Sequence, residues 1–146
     1  HGGLDPENMQ NTIHYNDVLL DVYDYLKDCI DRAIAGGIKK ENIMIDPGIG
    51  FGKTNNQNIS LIKRASLFHA LGCPILYGVS RKNFIGHFGR VPEAANRFPG
   101  SIAIAIELMR QGIQVIRVHD VSETRQALNL WEAAIGRFEV QDKGVA

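Results

Sequence analysis

No charge of either sign dominates this chain: sixteen Lys and Arg balance sixteen Asp and Glu across 146 residues. A field without net sign argues against nucleic acid or an anionic membrane as the main partner. Apolar stretches are short as well. None approaches the ~20 residues of a membrane span, and the front carries no signal-peptide pattern. Cysteine is scarce, with Cys29 and Cys73 far apart and no Cys or His beside them at metal-ligand spacing. They predict two reduced structural thiols in a cytoplasmic protein, not a disulfide framework or a zinc site. No low-complexity segment or linker divides the chain, which is the length of one domain. The first residue is His1 instead of Met, so the start of the gene product is expected upstream.

What is present is a repeating unit. From Tyr15 to Ala35, apolar Val18, Leu19, Val22, Tyr25, Leu26, Cys29, Ile30 and Ala33 recur at helical steps, predicting an amphipathic helix stopped by Gly36-Gly37. IMID (43–46) reads as a strand, and 59–71 as a helix with Ile59, Ile62, Ala65 and Ser66 toward one side. PILYGVS (74–80) is a second strand, 101–110 a helix, QVIRVH (114–119) a third strand and 123–134 a last helix. Trp131 and Met109 read as core, and the polar residues 137–146 as a frayed tail. Short apolar strands separated by helical crossovers predict a parallel sheet covered by helices. A closed barrel takes eight such units in roughly 250 residues, and so few strands cannot close on themselves. The pattern fits either a small open α/β domain or the later part of a barrel.

In parallel α/β folds the working residues sit past the carboxyl ends of the strands. Here those points carry Asp46-Pro47-Gly48, Ser80-Arg81-Lys82 and Arg117-Val118-His119-Asp120. The first lies in IMIDPGIGFGKT (43–54), whose ending imitates a phosphate-binding P-loop. A Walker A motif needs glycine where Pro47 stands, and proline has a fixed φ and no N–H with which to start the phosphate-wrapping turn. Asp46 beside it would repel a triphosphate. A nucleotide triphosphatase is therefore disfavoured, which leaves a plain glycine-rich loop or a site built on Asp46.

The Asp46 carboxylate can accept from a planar group bearing two adjacent N–H donors, and the glycines behind it leave room for a flat ring. The alternative is an Asp that caps the next helix or bonds to Lys53. Arg81 and Lys82 precede a short helical stretch, 83–86, against its dipole, which points to a bound anion or to a carboxylate across the pocket. Two solvated surface cations are the plainer reading. Arg117 and His119 are two apart on a strand and share a face with Val115, which suits a phosphate-like group. A pairing of Arg117 with Asp120 or a neighbouring acid is the competing reading. His14, His69 and His87 show no evident partner, and Asp120 with Glu123 predicts a helix-capping pair.

DPGIGFGKT (46–54), YGVSRKNFIG (77–86) and IRVHDV (116–121), in that order and spacing, closely resemble dihydropteroate synthase. PENMQ (6–10) with Tyr15 and Asp17 extends the likeness over nearly the whole chain. The resemblance implies a (β/α)8 TIM barrel, with this chain its C-terminal half from about the fifth strand onward in a single pterin-binding domain. It implies condensation of p-aminobenzoate with 6-hydroxymethyl-7,8-dihydropterin diphosphate to give 7,8-dihydropteroate and pyrophosphate, with Mg²⁺, in a cytoplasmic homodimer that sulfonamides target. It places Asp46, Lys82, Phe51 and Gly78 at the pterin, and Ser80, Arg81, Lys82 and Phe51 at the aminobenzoate. Arg117 and His119 fall at the diphosphate.

Two departures qualify the likeness. Ile49 stands where many members carry Phe. The family's metal-holding Asn, its first two mobile loops and its middle-strand pterin ligands have no counterpart here, so no metal ligand is expected in this chain and the chain alone is expected to be inactive. The alternatives are a pterin-binding module of a methyltetrahydrofolate-type methyltransferase, which has no diphosphate to hold, or a non-catalytic fragment.

Overall fold

The computed structural model describes residues 15–136. PENMQ, His14 and the tail 137–146 lie outside the described residues.

Helix α1 (Val18–Ala35) begins where Asp17 caps it, its Oδ1 accepting the N–H groups of Leu19 and Leu20 at 2.9 and 3.2 Å. Such a cap satisfies two of the donors that a helix start leaves without partners. Val18, Leu19, Val22, Leu26 and Ile30 form its buried stripe, as the periodicity predicts. Tyr25 is exposed, and Cys29 and Ala33 are only half-buried, because they sit at the margin of that stripe.

The expected strand 43–46 contracts to one residue. Ile45 makes a single parallel bridge with Ile75, through Ile45 N–H to Pro74 O at 2.9 Å and Leu76 N–H to Ile45 O at 2.8 Å. Pro47, which has no N–H, follows two residues later and cannot extend the ladder. Strand β1 (Leu76–Gly78) then pairs in parallel with β2 (Val115–Arg117), Leu76 opposite Val115, Tyr77 opposite Ile116 and Gly78 opposite Arg117. Both strands are shorter than the apolar runs 74–80 and 114–119 that predict them.

The crossovers are helical. Helix α2 (Asn55–Lys63) starts four residues before the expected Ile59, because Thr54 and Gln57 form a reciprocal capping box. It breaks at Arg64 and continues as a 3-10 segment, Ala65–Leu71, so one predicted helix is two pieces. Ser66 is exposed, while Leu61 and Phe68 take the buried side with Ile62 and Ala65. Helix α3 (Asn83–Gly89), a 3-10 turn (Ala94–Arg97) and helix α4 (Phe98–Arg110) carry the chain from β1 to β2, and α5 (Val121–Ala134) follows β2.

The core lies between the sheet and these helices. Ile75, Tyr77 and Val79 are fully buried on the helix side, with Leu61, Phe68, Leu108 and Val22 around them. The Tyr77 hydroxyl donates to Leu61 O at 3.1 Å, so the one polar atom of that side chain is satisfied. Trp131 and Met109 are half-buried and lie outside this cluster, a correction to the core assignment. Among the described residues α5 packs chiefly on α4, so its outer turns have no second layer to enter. Leu76, Gly78 and Ser80 point to the opposite face of the sheet, as period-two alternation requires. That face carries the chemistry.

Candidate active site

The loop after Ile45 is shaped by glycine. Gly48, Gly50 and Gly52 all have positive φ, +72°, +82° and +56°, a conformation costly for any residue with a Cβ. At Gly50 space matters too, since a Cβ there would sit 2.9 Å from Cδ of Lys82. Asn58, buried in α2, fastens the loop: its Oδ1 accepts Gly50 N–H at 2.7 Å while its Nδ2 donates to Thr54 O at 2.9 Å. Its role was invisible in the sequence, because an Asn in a polar run reads as surface.

Lys53 shows why this is not a P-loop. Its side chain turns inward, 8% exposed, and Nζ donates to the carbonyls of Gly48 and Phe51 at 3.0 and 3.1 Å. Burial lowers its pKa to about 8; Asp46 opposes the shift and Lys82 adds to it. Thr54 meanwhile caps α2. Asp46 caps no helix among the described residues, and it acts on Lys53 through its charge. Its Oδ1 accepts Gly48 N–H at 2.8 Å, and the side chain is exposed, its second oxygen meeting no partner among the described residues.

The Lys53 shift has a consequence for stability. Above pH 8 the folded chain releases a proton that the unfolded chain keeps until near 10.5. Stability therefore rises with pH across that window. Neutral lysine still offers two N–H donors, enough for both carbonyls. Tyr77 and Tyr15, whose pKa values burial raises above 10.0, reverse the trend above pH 10 because their folded forms hold protons longer. Urea unfolding should show a gain of about 2 kcal/mol from pH 8 to 10. A Lys53→Met variant should reduce that slope to the smaller rise left by Lys82, whose pKa burial also lowers, and a parent profile already flat would refute the assignment.

Ser80, Arg81 and Lys82 follow β1 and diverge. Arg81 adopts φ +59°, and its guanidinium grips Asp120 with both Nε and Nη2, so of the two readings of this basic pair the carboxylate is the one met by Arg81. Its N–H donates to Ser101 Oγ at 2.9 Å and its carbonyl accepts from Arg97 Nη1 at 3.0 Å. Arg97 also reaches Val91 O, Pro92 O and Asn83 Oδ1, and so ties this turn to the start of α4. Sequence reasoning missed Arg97, whose partners are mostly backbone carbonyls that leave no mark in a sequence. Asp120 is thereby engaged by Arg81. It neither pairs with Arg117 nor caps α5 with its side chain, and Glu123 accepts instead from Ser122 Oγ at 2.6 Å.

Lys82 lies across the loop. Its Nζ donates to Ile49 O and stands 4.5 Å from the centroid of the Phe51 ring, a cation–π arrangement. Burial lowers its pKa, Asp46 opposes this, and Arg117 lowers it further. Arg117 lies over Gly78: a Cβ on that residue would be 2.8 Å from Nη2, so the bare glycine is the platform for the guanidinium. His119 contacts Ser80, with Nδ1 at 2.9 Å from its Oγ.

Two cavities border these groups. One of about 260 Å³ is lined by Gly78, Ser80, Lys82, Arg117, Val118 and His119. The other, of about 530 Å³, is bounded by Gly50, Phe51, Lys53, Asn58, Lys82 and Phe84 among others. Lys82 lines both. Of the residues singled out from sequence, Phe51, Gly78, Ser80, Lys82, Arg117 and His119 line these cavities. Asp46 lines neither but is near enough to act on the charge of Lys53 and Lys82, while Arg81 also lines neither and is held in its ion pair. His69 meets Gln111 O at 2.9 Å, and His87 lies edge-on to Phe88.

The profile of the family described as Pterin binding enzyme matches residues 1–119. The chain belongs to the pterin-binding enzymes. The dihydropteroate synthase of Escherichia coli (strain K12) is 41% identical over 134 residues, 92% of this chain and 47% of that protein. That of Neisseria meningitidis serogroup C is 43% identical over 129 residues, 88% of this chain and 46% of the relative. Among solved structures, the Yersinia pestis dihydropteroate synthase with a sulfonamide drug complex has a TM-score of 0.87 at 38% identity, covering 94% of this chain and 50% of that one. The Thermus thermophilus enzyme in complex with 6HMPPP gives 0.85 at 39% identity, covering 90% and 52%. This pterin-binding enzyme chain thus spans about half the length of the relatives it matches. Those relatives are TIM-barrel enzymes, and its parallel strands with helical crossovers make up half of such a barrel, so the choice between an open domain and part of a barrel falls to the barrel.

Proposed function

We propose that this chain carries the pterin-ring and diphosphate contacts of a dihydropteroate synthase. The observation that supports this reading most is the convergence of three strand ends. They bring the Asp46 loop, Lys82 and the Arg117–His119 pair to one face, beside two cavities that share Lys82.

In this reading the spare oxygen of Asp46 accepts from the amino and ring N–H edge of the pterin. Phe51 and the Lys82 stem border the aminobenzoate, with Ser80 at its margin; Arg81 acts through its pairing with Asp120 and not by direct contact. The bond from the pterin methylene carbon to the diphosphate oxygen breaks, and its electron pair leaves with pyrophosphate. Lys82, Arg117 and His119 stabilise that charge, a type of contribution worth roughly 10²–10³ in rate per donor. The aniline nitrogen forms the new C–N bond and releases its proton to solvent. Orientation and electrostatics carry the step, with no general base required.

Mg²⁺ does not fit the groups gathered here. A hard divalent cation takes several oxygen ligands, and among the described residues no cluster of three His, Cys, Asp or Glu side chains offers them. The lining of the smaller cavity carries Lys82, Arg117 and His119 and no carboxylate, which opposes a divalent cation there.

The reading is tested by pyrophosphate release from p-aminobenzoate and the pterin diphosphate. The 146-residue chain alone should give none, since it spans 47% of the first relative above. The same chain joined to the front half of a relative should release one pyrophosphate per dihydropteroate. Turnover by the chain alone would overturn the first expectation, and a silent joined protein the second. We further propose that the protein is cytoplasmic and inhibited by sulfonamides, as the drug complex of the Yersinia pestis relative supports, and that it forms a homodimer, supported by Leu130 and Val121 standing 71% and 65% exposed on α5. Sedimentation at micromolar concentration should report twice the chain mass, and a monomer would end that part of the proposal.

A further inference from the structure

We propose that Ser80 is a positioning residue that holds neutral His119 in its Nε2–H form and so aims a donor into the smaller cavity. That the donor meets a diphosphate rests on the reading above; the tautomer itself does not.

The argument is one of proton counting at a buried oxygen. Ser80 is 6% exposed. Its Oγ accepts the backbone N–H of His119 at 3.3 Å and lies 2.9 Å from Nδ1 of the same residue. A serine hydroxyl has one proton to give. Among the described residues Nδ1 is the acceptor that the structure places within its reach. If Nδ1 carried the proton of the neutral ring, two donors would converge on Oγ and the hydroxyl proton would be buried without a partner. That arrangement costs the desolvation of a polar group. With the hydroxyl donating to Nδ1, every group is satisfied, and the ring proton must sit on Nε2. The tautomer of a histidine is set by the bond its other nitrogen makes.

The placement in the fold adds a second effect. Ser80 follows β1 and His119 follows β2, so a single oxygen locks the ring and its backbone to the neighbouring strand end. Arg117 and His119 line the same cavity of about 260 Å³. Fixing the ring gives that cavity a second donor beside the guanidinium without requiring the imidazolium form.

Long-range proton–nitrogen NMR of the 15N-labelled 146-residue chain reads this directly. The His119 signals are assigned by their loss in His119→Gln, and the pH is raised until the ring shifts reach a plateau. The expected result is an unprotonated Nδ1 and a protonated Nε2. Ser80→Thr should keep that pattern, and Ser80→Ala should move the tautomer ratio by up to roughly tenfold. Titration with inorganic pyrophosphate should weaken several-fold in Ser80→Ala and recover in Ser80→Thr. A protonated Nδ1 in the parent chain, or ring shifts unmoved by Ser80→Ala, would overturn the proposal. An Nε2–H ring in a parent chain blind to pyrophosphate would instead remove the diphosphate reading and leave the positioning intact.

Discussion

Replacing Asp46 with asparagine is expected to weaken pterin binding about a hundredfold while leaving the fold in place. The two halves of that statement have separate causes. Oδ1 accepts Gly48 N–H at 2.8 Å, a task that an asparagine oxygen performs as well, so the loop should keep its shape. The spare carboxylate oxygen becomes an amide nitrogen, which presents N–H to the N–H edge of the ring. Two donors then face one another where a charge-assisted pair stood. Calorimetric titration with a dihydropterin should show the loss, and an unchanged melting temperature should accompany it. Affinity within about threefold of the parent would mean that the carboxylate faces something other than the pterin.

The second large effect is expected at Lys82. It lines both cavities, its Nζ donates to Ile49 O, and it stands over the Phe51 ring. Lys82→Met keeps the stem that packs against Gly50 and removes the charge. The protein that supports turnover should lose at least about a hundredfold in kcat, the usual cost of removing one donor to a departing anion. Pyrophosphate affinity should fall with it, since Arg117 and His119 would hold that charge alone. Lys82→Arg should not restore the rate: a Cβ on Gly50 would already come within 2.9 Å of the lysine Cδ, so a longer, planar head has no room to turn. Full recovery with arginine would reduce the role of Lys82 to net charge.

Much of the fold was legible because its signals are local. The α1 stripe repeats at helical steps and Gly36-Gly37 marks its end, whereas its start at Val18 in place of Tyr15 is set by the Asp17 cap, which the periodicity did not reveal. The strand ends were legible for a similar reason: polar residues directly after apolar runs mark the carboxyl edge of a parallel sheet. The failure of the P-loop reading was legible too, since one proline at the decisive position excludes it whatever surrounds the loop. Strand length was not. Ile45 reaches only a single bridge, because pairing depends on which neighbours are present as well as on the apolar run itself.

The side-chain partners were the least legible. Asp120 near Glu123 reads as a cap, yet the guanidinium of Arg81, thirty-nine positions earlier, takes it. Arg81 and Lys82 are adjacent in sequence and alike in charge, yet one is held in an ion pair and the other reaches across the loop. Nothing in their spacing separates them. The backbone at Arg81, φ +59°, turns the two side chains apart, and that conformation is maintained by Ser101 and Arg97 from other elements.

Local chemistry in the sequence thus determined which residue types stand at each strand end, because hydrophobic period and glycine or proline punctuation act over a few residues. Only the tertiary structure decided which of those polar groups face one another. Pairings such as Arg81 with Asp120, or Ser80 with His119, are closed by parallel crossovers that bring residues thirty-nine apart into contact, and the free energy selecting them comes from burial that no short window of sequence contains.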